Sequence, residues 1–269
     1  GGIDRQLILW RLPSGEKLRS WHHFKGAIRS LAMTPDGRRF AALEGKRNIS
    51  LRSISGKMIK SISTKMAIRE IAFAPVVSRL LALTEEGDIL FFHSTKLTVL
   101  RKERVCPVKT GALRMALDYQ ERWIAVTCND GTLSMLGWQG KKRYSVASLE
   151  SITALALSPT QPLLITGNKN GGLSLWTIQS ATLKMKRVFQ QYGHVRGITQ
   201  VAFSPNGKNV AAASLDRHGS LWTLSFPKLI LKHRLTHESA VTALHYVPGE
   251  KVRLLSGDAR GGFSMWTGL

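Results

Sequence analysis

His194, Asp216 and the serines around them are the residues of this 269-residue chain whose types could do chemistry. A histidine can take the proton of a hydroxyl nucleophile while a carboxylate orients the ring. Catalysis by such a group needs one unrepeated constellation, with the nucleophile beside its base. Here the same residue types return along the chain: His237 with Ser256, Thr166 ahead of Trp176, Trp222 after Asp216, and Trp266 after Ser256. Residues that recur with a repeat serve the repeat, so no catalytic residue is expected and the chain is read as non-enzymatic. "GNKNGG" (Gly167 to Gly172) is glycine-rich, but it falls in a hairpin turn rather than before a helix, which argues against a phosphate cradle. Cys106 and Cys128 are too few for a disulfide framework and lack metal-ligand spacing, so neither metal nor cofactor is expected.

The segments that must position these residues form a repeat. "LILW" (Leu7 to Trp10), "ISLR" (Ile49 to Arg52), "ILFF" (Ile89 to Phe92), "LSML" (Leu133 to Leu136), "LSLW" (Leu173 to Trp176), "GSLW" (Gly219 to Trp222) and "FSMW" (Phe263 to Trp266) end 40 to 46 residues apart. A second element keeps step with them, in "AIRSLAMTPDG", "IREIAFAP", "LRMALDY", "ITALALSP", "ITQVAFSPNG" and "VTALHYVPG". These alternate apolar and polar residues, and most end in a Pro or Gly turn, as hairpin strands do. With the short apolar runs between them, each unit offers three clear strands and a weaker fourth. A small sheet of this kind cannot bury both faces alone. Radial stacking of four-stranded blades solves that problem, so the fold class expected is all-β, a β-propeller; a solenoid is the runner-up.

The chain resembles the WD-repeat family over nearly its whole length. Gly193-His194, the turn Ser204-Pro205-Asn206-Gly207, Asp216 and Trp222 follow that family's pattern, and Thr34-Pro35-Asp36-Gly37 repeats the turn. The Trp-Asp pair itself is missing, since Arg11, Thr177, Thr223 and Thr267 follow the tryptophans. The resemblance implies a structural hydrogen-bond network, with His between blades, Asp in a turn, Ser or Thr on the second strand and Trp on the third. It assigns His194, Asp216 and Trp222 to one network, with Ala212 where a hydroxyl is usual. It assigns His237, Ser256 and Trp266 to another, with Arg260 at the Asp position, and Thr166 and Trp176 to a third, with Asn170 replacing Asp. Asp4, Glu86 and Asp130 hold the acidic position elsewhere. Trp21, Trp123 and Trp138 lie off the repeat position; packing is the expected role, and an exposed one could stack on a base.

The formal net charge is +22, from 39 Lys and Arg against 17 Asp and Glu, in a chain otherwise ordinary for a globular protein at 43% hydrophobic and 21% charged residues. Such an excess repels itself and points to a polyanionic partner. It concentrates where each outermost strand should run: Lys57 and Lys60; Arg101, Lys102 and Arg104; Lys141, Lys142 and Arg143; Lys184, Lys186 and Arg187; Lys232 and Arg234. One or two lysines per blade would suffice to discourage edge-to-edge pairing. The remainder is expected to form a basic rim that contacts RNA phosphates without reading sequence. Arg47, Arg217 and Arg260, in corresponding turns, are instead candidates for a basic face.

One propeller domain is expected over residues 1–269, with a partial first blade at 1–21 and repeats at 22–63, 64–106, 107–146, 147–191, 192–235 and 236–269. Seven third strands against six inner strands favour seven blades with upstream sequence missing and a longer parent chain. Six blades closed by Glu16 to Trp21 are the alternative. The start at Gly1-Gly2-Ile3 reads as neither a signal nor a transit peptide, and the two cysteines suggest a reducing intracellular compartment, with cytoplasm, nucleus and mitochondrion not distinguished. No apolar run is long enough for a membrane-spanning helix. The function expected is a scaffold within a ribonucleoprotein assembly such as a ribosome, mitoribosome or ribosome-biogenesis particle, docking other proteins. The alternative is a peptide-recognition or sensor propeller that binds acidic or phosphorylated segments.

Overall fold

A computed structural model of the chain describes residues 2–12, 14–141, 143–148, 150–247 and 253–267. All regular structure among them is β, in seven antiparallel sheets, the first with two strands, the last with three and the other five with four. This matches the all-β propeller class and the favoured count of seven with an incomplete first blade.

The chain divides into two compact units, Gly1–Met115 and Ala116–Leu269. In the first unit β1 (Leu7–Arg11) pairs with β2 (Glu16–Trp21), so the strand considered for closing a six-bladed ring belongs to a sheet with β1. Next come a sheet of β3 (Ile28–Met33), β4 (Arg39–Glu44), β5 (Asn48–Ser53) and β6 (Met58–Ser63), and one of β7 (Ile68–Phe73), β8 (Arg79–Thr84), β9 (Asp88–His93) and β10 (Val99–Arg104). The unit boundary falls inside β11 (Ala112–Leu117), which leads a sheet continued by β12 (Trp123–Cys128), β13 (Thr132–Gly137) and β14 (Arg143–Ala147). The second unit goes on with β15 (Ile152–Leu157), β16 (Leu163–Asn168), β17 (Gly172–Ile178) and β18 (Met185–Tyr192), then β19 (Ile198–Phe203), β20 (Asn209–Ser214), β21 (His218–Ser225) and β22 (Lys228–Thr236). It ends with β23 (Val241–Val247), β24 (Arg253–Asp258) and β25 (Phe263–Thr267).

Within a sheet, burial follows strand position rather than simple alternation. β4, β8, β12, β16 and β20 are buried at nearly every residue, because sheets pack on both of their faces. In the first unit Leu43, Ile49 and Leu51 meet Ile68, Leu80 and Phe92 between two successive sheets. In the second, Leu163, Ile165 and Leu175 meet Val201, Val210 and Trp222 in the same way. The fourth strands pair on one side only and stay largely exposed, as in β6 and β22.

The two related turns work by one device. Thr34 donates to Asp36 Oδ1 at 2.5 Å while Arg38 N–H donates to the same oxygen at 3.0 Å. Ser204 donates to Asn206 Oδ1 at 2.7 Å, and Lys208 N–H donates there at 3.0 Å. Each closes on a glycine in the left-handed region, Gly37 at φ 66° and Gly207 at φ 69°, where a side chain is strained. The hydrogen bond from Thr34, then the one from Arg38 N–H, hold the Asp36 carboxyl below its ordinary range.

Candidate nucleic-acid interface

The polar residues that resemble a triad form a buried relay. Trp222 Nε1–H donates to Ser220 Oγ at 2.7 Å, and that hydroxyl meets His194 Nε2 at 2.7 Å. His194 Nδ1 in turn lies 2.9 Å from Asp216 Oδ2. With the indole able only to donate, the consistent polarity is Trp to Ser to neutral His to carboxylate. Burial lowers the His194 pKa, and the Asp216 charge offsets only part of that. Burial raises the Asp216 carboxyl, but the interaction with His194 and the N–H groups of His218 and Val195 outweigh it, so its pKa ends below the usual range. Ser220 is 0% exposed and its hydroxyl is held between two rings. It is a strut and not a nucleophile awaiting substrate.

The hydroxyl comes from a different strand than the family pattern assigns. Ala212 occupies the second-strand position, and Ser220 stands directly opposite on the third, with the two as register partners. Paired Cβ atoms lie only about 5 Å apart, so either strand can deliver the oxygen to the same place. In the last sheet the second strand does supply it: Trp266 Nε1–H donates to Ser256 Oγ at 2.6 Å and His237 Nε2 lies 2.8 Å from it. There the carboxylate is Asp258, 3.9 Å from His237 Nδ1, while Arg260 in the turn is exposed. Trp176 Nε1–H donates to Thr166 Oγ1 at 2.9 Å. In that sheet Glu150 serves as the acceptor, taking Gln190 Nε2 at 2.6 Å, Tyr192 OH at 2.9 Å and the Asn168 amide. Asn170, read at the Asp position, is exposed in its turn and donates its N–H to Asn168 Oδ1 at 2.9 Å.

In the sheet of β3 to β6 the relay is replaced altogether. Arg52, 7% exposed, takes the tryptophan's place, stacks 4.5 Å from the Phe24 ring centroid and donates to His23 O at 3.1 Å. Its charge faces Glu44 at 4.0 Å. Ser50, the third-strand serine there, has no imidazole or indole to meet and its Oγ makes no hydrogen bond. Glu70 is a further shielded carboxyl, pushed up to about 7 by desolvation against the pull of Arg114. It accepts Met115 N–H and lies 3.8 Å from Arg114, so it too is engaged in holding strands. Both cysteines are buried and neither is free.

The basic residues fall into two kinds. Lys57, Lys60, Lys141, Arg143, Lys184, Lys186, Arg187, Lys232 and Arg234 are exposed on or beside fourth strands. Lys142 lies outside the described residues. Arg187 stands 5.7 Å from the Trp176 ring centroid, and Arg234 donates to Gly193 O at 3.0 Å. On β10, however, the charge is answered within its own sheet. Lys102 and Arg104 flank Asp88 at 3.1 and 3.2 Å, and Arg101 lies over Phe91 with Glu103 at 3.4 Å. The turn arginines Arg47, Arg217 and Arg260 are all exposed. Arg217 sits at φ 70°, in the left-handed region. Of the off-repeat tryptophans, Trp123 is 3% exposed and Trp21 packs on Phe40 at 5.5 Å, whereas Trp138 lines a surface cleft.

Comparison with known proteins returns one family and one architecture. The family model for the WD domain, G-beta repeat, matches residues 142–177 and 185–223. Rat striatin-3 is 28% identical over 142 residues, covering 46% of this chain and 18% of striatin-3. Eukaryotic translation initiation factor 3 subunit I of Neurospora crassa is 24% identical over 151 residues, 55% of this chain and 40% of that protein. WD repeat-containing protein 1-B of Xenopus laevis is 29% identical over 146 residues, 48% and 24% respectively. The matched stretches thus span well under half the length of these relatives. The crystal structure of the Myceliophthora thermophila Cps50 (Swd1) β-propeller domain superposes with a TM-score of 0.83 at 16% identity, over 99% of this chain and 91% of that one. That likeness shows the fold.

Proposed function

From the premise that this chain is a divergent member of the WD-repeat β-propellers, we propose that it is a non-enzymatic interaction scaffold whose basic fourth strands contact the phosphates of an RNA in a ribonucleoprotein assembly. The scaffold role is the coarser part and follows from the fold and the family. The observation that carries the RNA part is the exposure of cationic side chains on or beside the fourth strands β6, β14, β18 and β22, in a chain of net charge +22. Sheets with one row of cations each suit a long, uniformly charged polymer better than a small anion. The likeness to a subunit of a translation initiation factor supports a setting in translation. Apart from Ser50, the buried hydroxyls, imidazoles and carboxylates described above are engaged with one another or with backbone, which supports the non-enzymatic reading.

A second reading has a specific observation behind it. Arg196 and Arg217 sit on neighbouring turns joined by Ser214 Oγ–H to Arg196 O at 3.0 Å and Leu215 N–H to Gly197 O at 3.0 Å, beside Val195, which is 88% exposed. That patch suits an acidic peptide with an apolar residue. Titrating unrelated RNAs and an acidic peptide against the purified chain over a salt series separates the two. The proposal expects RNA binding that falls steeply with salt and is alike for every RNA. Absence of RNA binding at low salt, with peptide binding retained, would overturn it in favour of the second reading.

A further inference from the structure

The first strands of five sheets, β3, β7, β15, β19 and β23, are each interrupted by a bulge that leaves one residue out of the ladder. In β15, β19 and β23 that residue is a threonine: Thr153, Thr199 and Thr242. In β3 and β7 it is an arginine: Arg29 and Arg69. A bulge re-aims the side chain it carries. In the second unit that side chain ties one sheet to the next, since Thr153 Oγ1–H donates to Ile198 O and Thr199 Oγ1–H to Val241 O, both at 2.5 Å. In the first unit the tie falls to the residue after the bulge. Ile71 N–H donates to Ser30 Oγ at 3.1 Å, and Met115 N–H donates to Glu70. The two arginines thus occupy a position whose structural duty has moved to its neighbour.

The two bulges lie side by side. Gly45 N–H donates to Ala27 O at 2.8 Å and Ile68 N–H donates to Lys46 O at 2.7 Å, so β3 and β7 start from consecutive residues of one turn. Arg29 and Arg69 are both exposed, and neither has a hydrogen bond or ion pair among the described residues. The carboxylates in their neighbourhood are already engaged. Glu70 lies 3.8 Å from Arg114 and accepts Met115 N–H, and Arg69 attracts it more weakly than Arg114 does. Glu85 pairs with Lys46 at 3.2 Å. Single cations spread along fourth strands suit a chain of singly charged linkages. Two guanidinium forks within reach of one point suit a group with about two charges on three terminal oxygens, which is a phosphate monoester. A phosphodiester linkage brings a single charge to that point, and a carboxylate brings one oxygen fewer.

We propose that Arg29 and Arg69 form a site for a phosphate monoester, held by both guanidinium groups at once. The site goes beyond the RNA reading and uses none of the fourth-strand cations on which that reading rests. The same chemistry is offered by a small phosphorylated molecule and by a phosphorylated side chain of a docked protein. Thr153 and Thr199, at the corresponding bulges of the second unit, bring no charge and are committed to the neighbouring strand, so those bulges provide no equivalent.

The test titrates the whole chain by calorimetry with methyl phosphate, with dimethyl phosphate, and with a short phosphoserine peptide beside its unphosphorylated form. Work at about pH 7.5 keeps the monoester close to doubly charged. Methyl phosphate is expected to bind at least about tenfold more tightly than dimethyl phosphate, and the phosphopeptide more tightly than its unphosphorylated form. Arg29→Gln and Arg69→Gln should each weaken monoester binding about tenfold or more at an unchanged urea midpoint, because both side chains are exposed. Lys184→Gln with Lys186→Gln should leave monoester binding unchanged while lowering RNA affinity. Binding of the phosphopeptide without methyl phosphate supports the site and assigns its ligand to a docked protein; binding of both supports it with the phosphate group as the whole determinant. Equal binding of monoester and diester, monoester binding that survives both arginine variants, or no binding of either phosphorylated probe would overturn the inference and leave the RNA reading standing.

Discussion

Replacing Ser220 with alanine removes one oxygen from the centre of the relay and leaves two buried ring nitrogens, Trp222 Nε1 and His194 Nε2, without a partner. The hydroxyl is 2.7 Å from both the Trp222 indole nitrogen and His194 Nε2, and it is 0% exposed. An orphaned buried polar group costs about 1–3 kcal/mol, and here there are two, one of which still pairs Asp216 through its other nitrogen. Ser220→Ala is therefore expected to destabilise the chain by about 2–4 kcal/mol, read as a lower urea midpoint at unchanged slope. The register supplies a stricter test. Ala212 faces Ser220 across the strands and is itself 0% exposed. Ala212→Ser alone should overpack a filled site and cost about 1–3 kcal/mol. In the double variant the second-strand hydroxyl replaces the lost one, so the two losses should not add; a coupling of at least about 1 kcal/mol is expected. Additive losses, or a Ser220→Ala cost below about 0.5 kcal/mol, would refute the relay and the interchangeability of the two strands.

Three further outcomes follow from the same geometry. His194 has its pKa lowered in the folded chain, so the unfolded chain binds a proton that the folded one does not; stability should be full above pH 6.5 and decline below it, and a His194→Asn variant should flatten that decline in urea midpoints between pH 7.5 and 5.5. Gly171 sits at φ 86° with the His194 carbonyl oxygen where a Cβ would go, so Gly171→Ala should cost about 2 kcal/mol or more by thermal unfolding, with no effect on any RNA affinity that survives. Lys102 and Arg104 share Asp88, whose side chain is 3% exposed, so reversing both charges should lower stability and weaken RNA binding little; reversing the exposed Lys184 and Lys186 should do the opposite, as paired denaturation and binding curves would show.

The repeat was legible because its apolar strands must recur wherever sheets stack, and "LSLW", "GSLW" and "FSMW" announce themselves every forty-odd residues. The residues of the relay were legible as types, since buried indoles and imidazoles need partners. Their exact oxygen was not: Ala212 and Ser220 are far apart in order and opposite one another in space. The serine two places before the tryptophan was the signal that could have found it. Asp258 was hidden similarly, because it closes a strand two residues before the turn position at which an acid is sought. Charge was legible as a sum but not as a field. Lys102 and Arg104 read as part of a basic run until Asp88, on the adjacent strand, is seen between them. Arg52 was legible at the repeat position that ends in tryptophan elsewhere, in "ISLR", but not its burial over Phe24.

The central claim is that the fourth strands carry a phosphate-binding charge. The most direct measurement is the salt dependence of RNA affinity for the native chain beside two neutralised variants. In one, the exposed Lys57, Lys60, Lys184, Lys186 and Lys232 become glutamine; in the other, the exposed turn arginines Arg47, Arg217 and Arg260 do. Each phosphate that a variant no longer neutralises should reduce the slope of log affinity against log salt by roughly 0.7–0.9. The account predicts a clearly shallower slope for the lysine variant and a near-native slope for the arginine variant. A native slope in the lysine variant, with a shallow one in the arginine variant, would contradict it and place the anion on the turns.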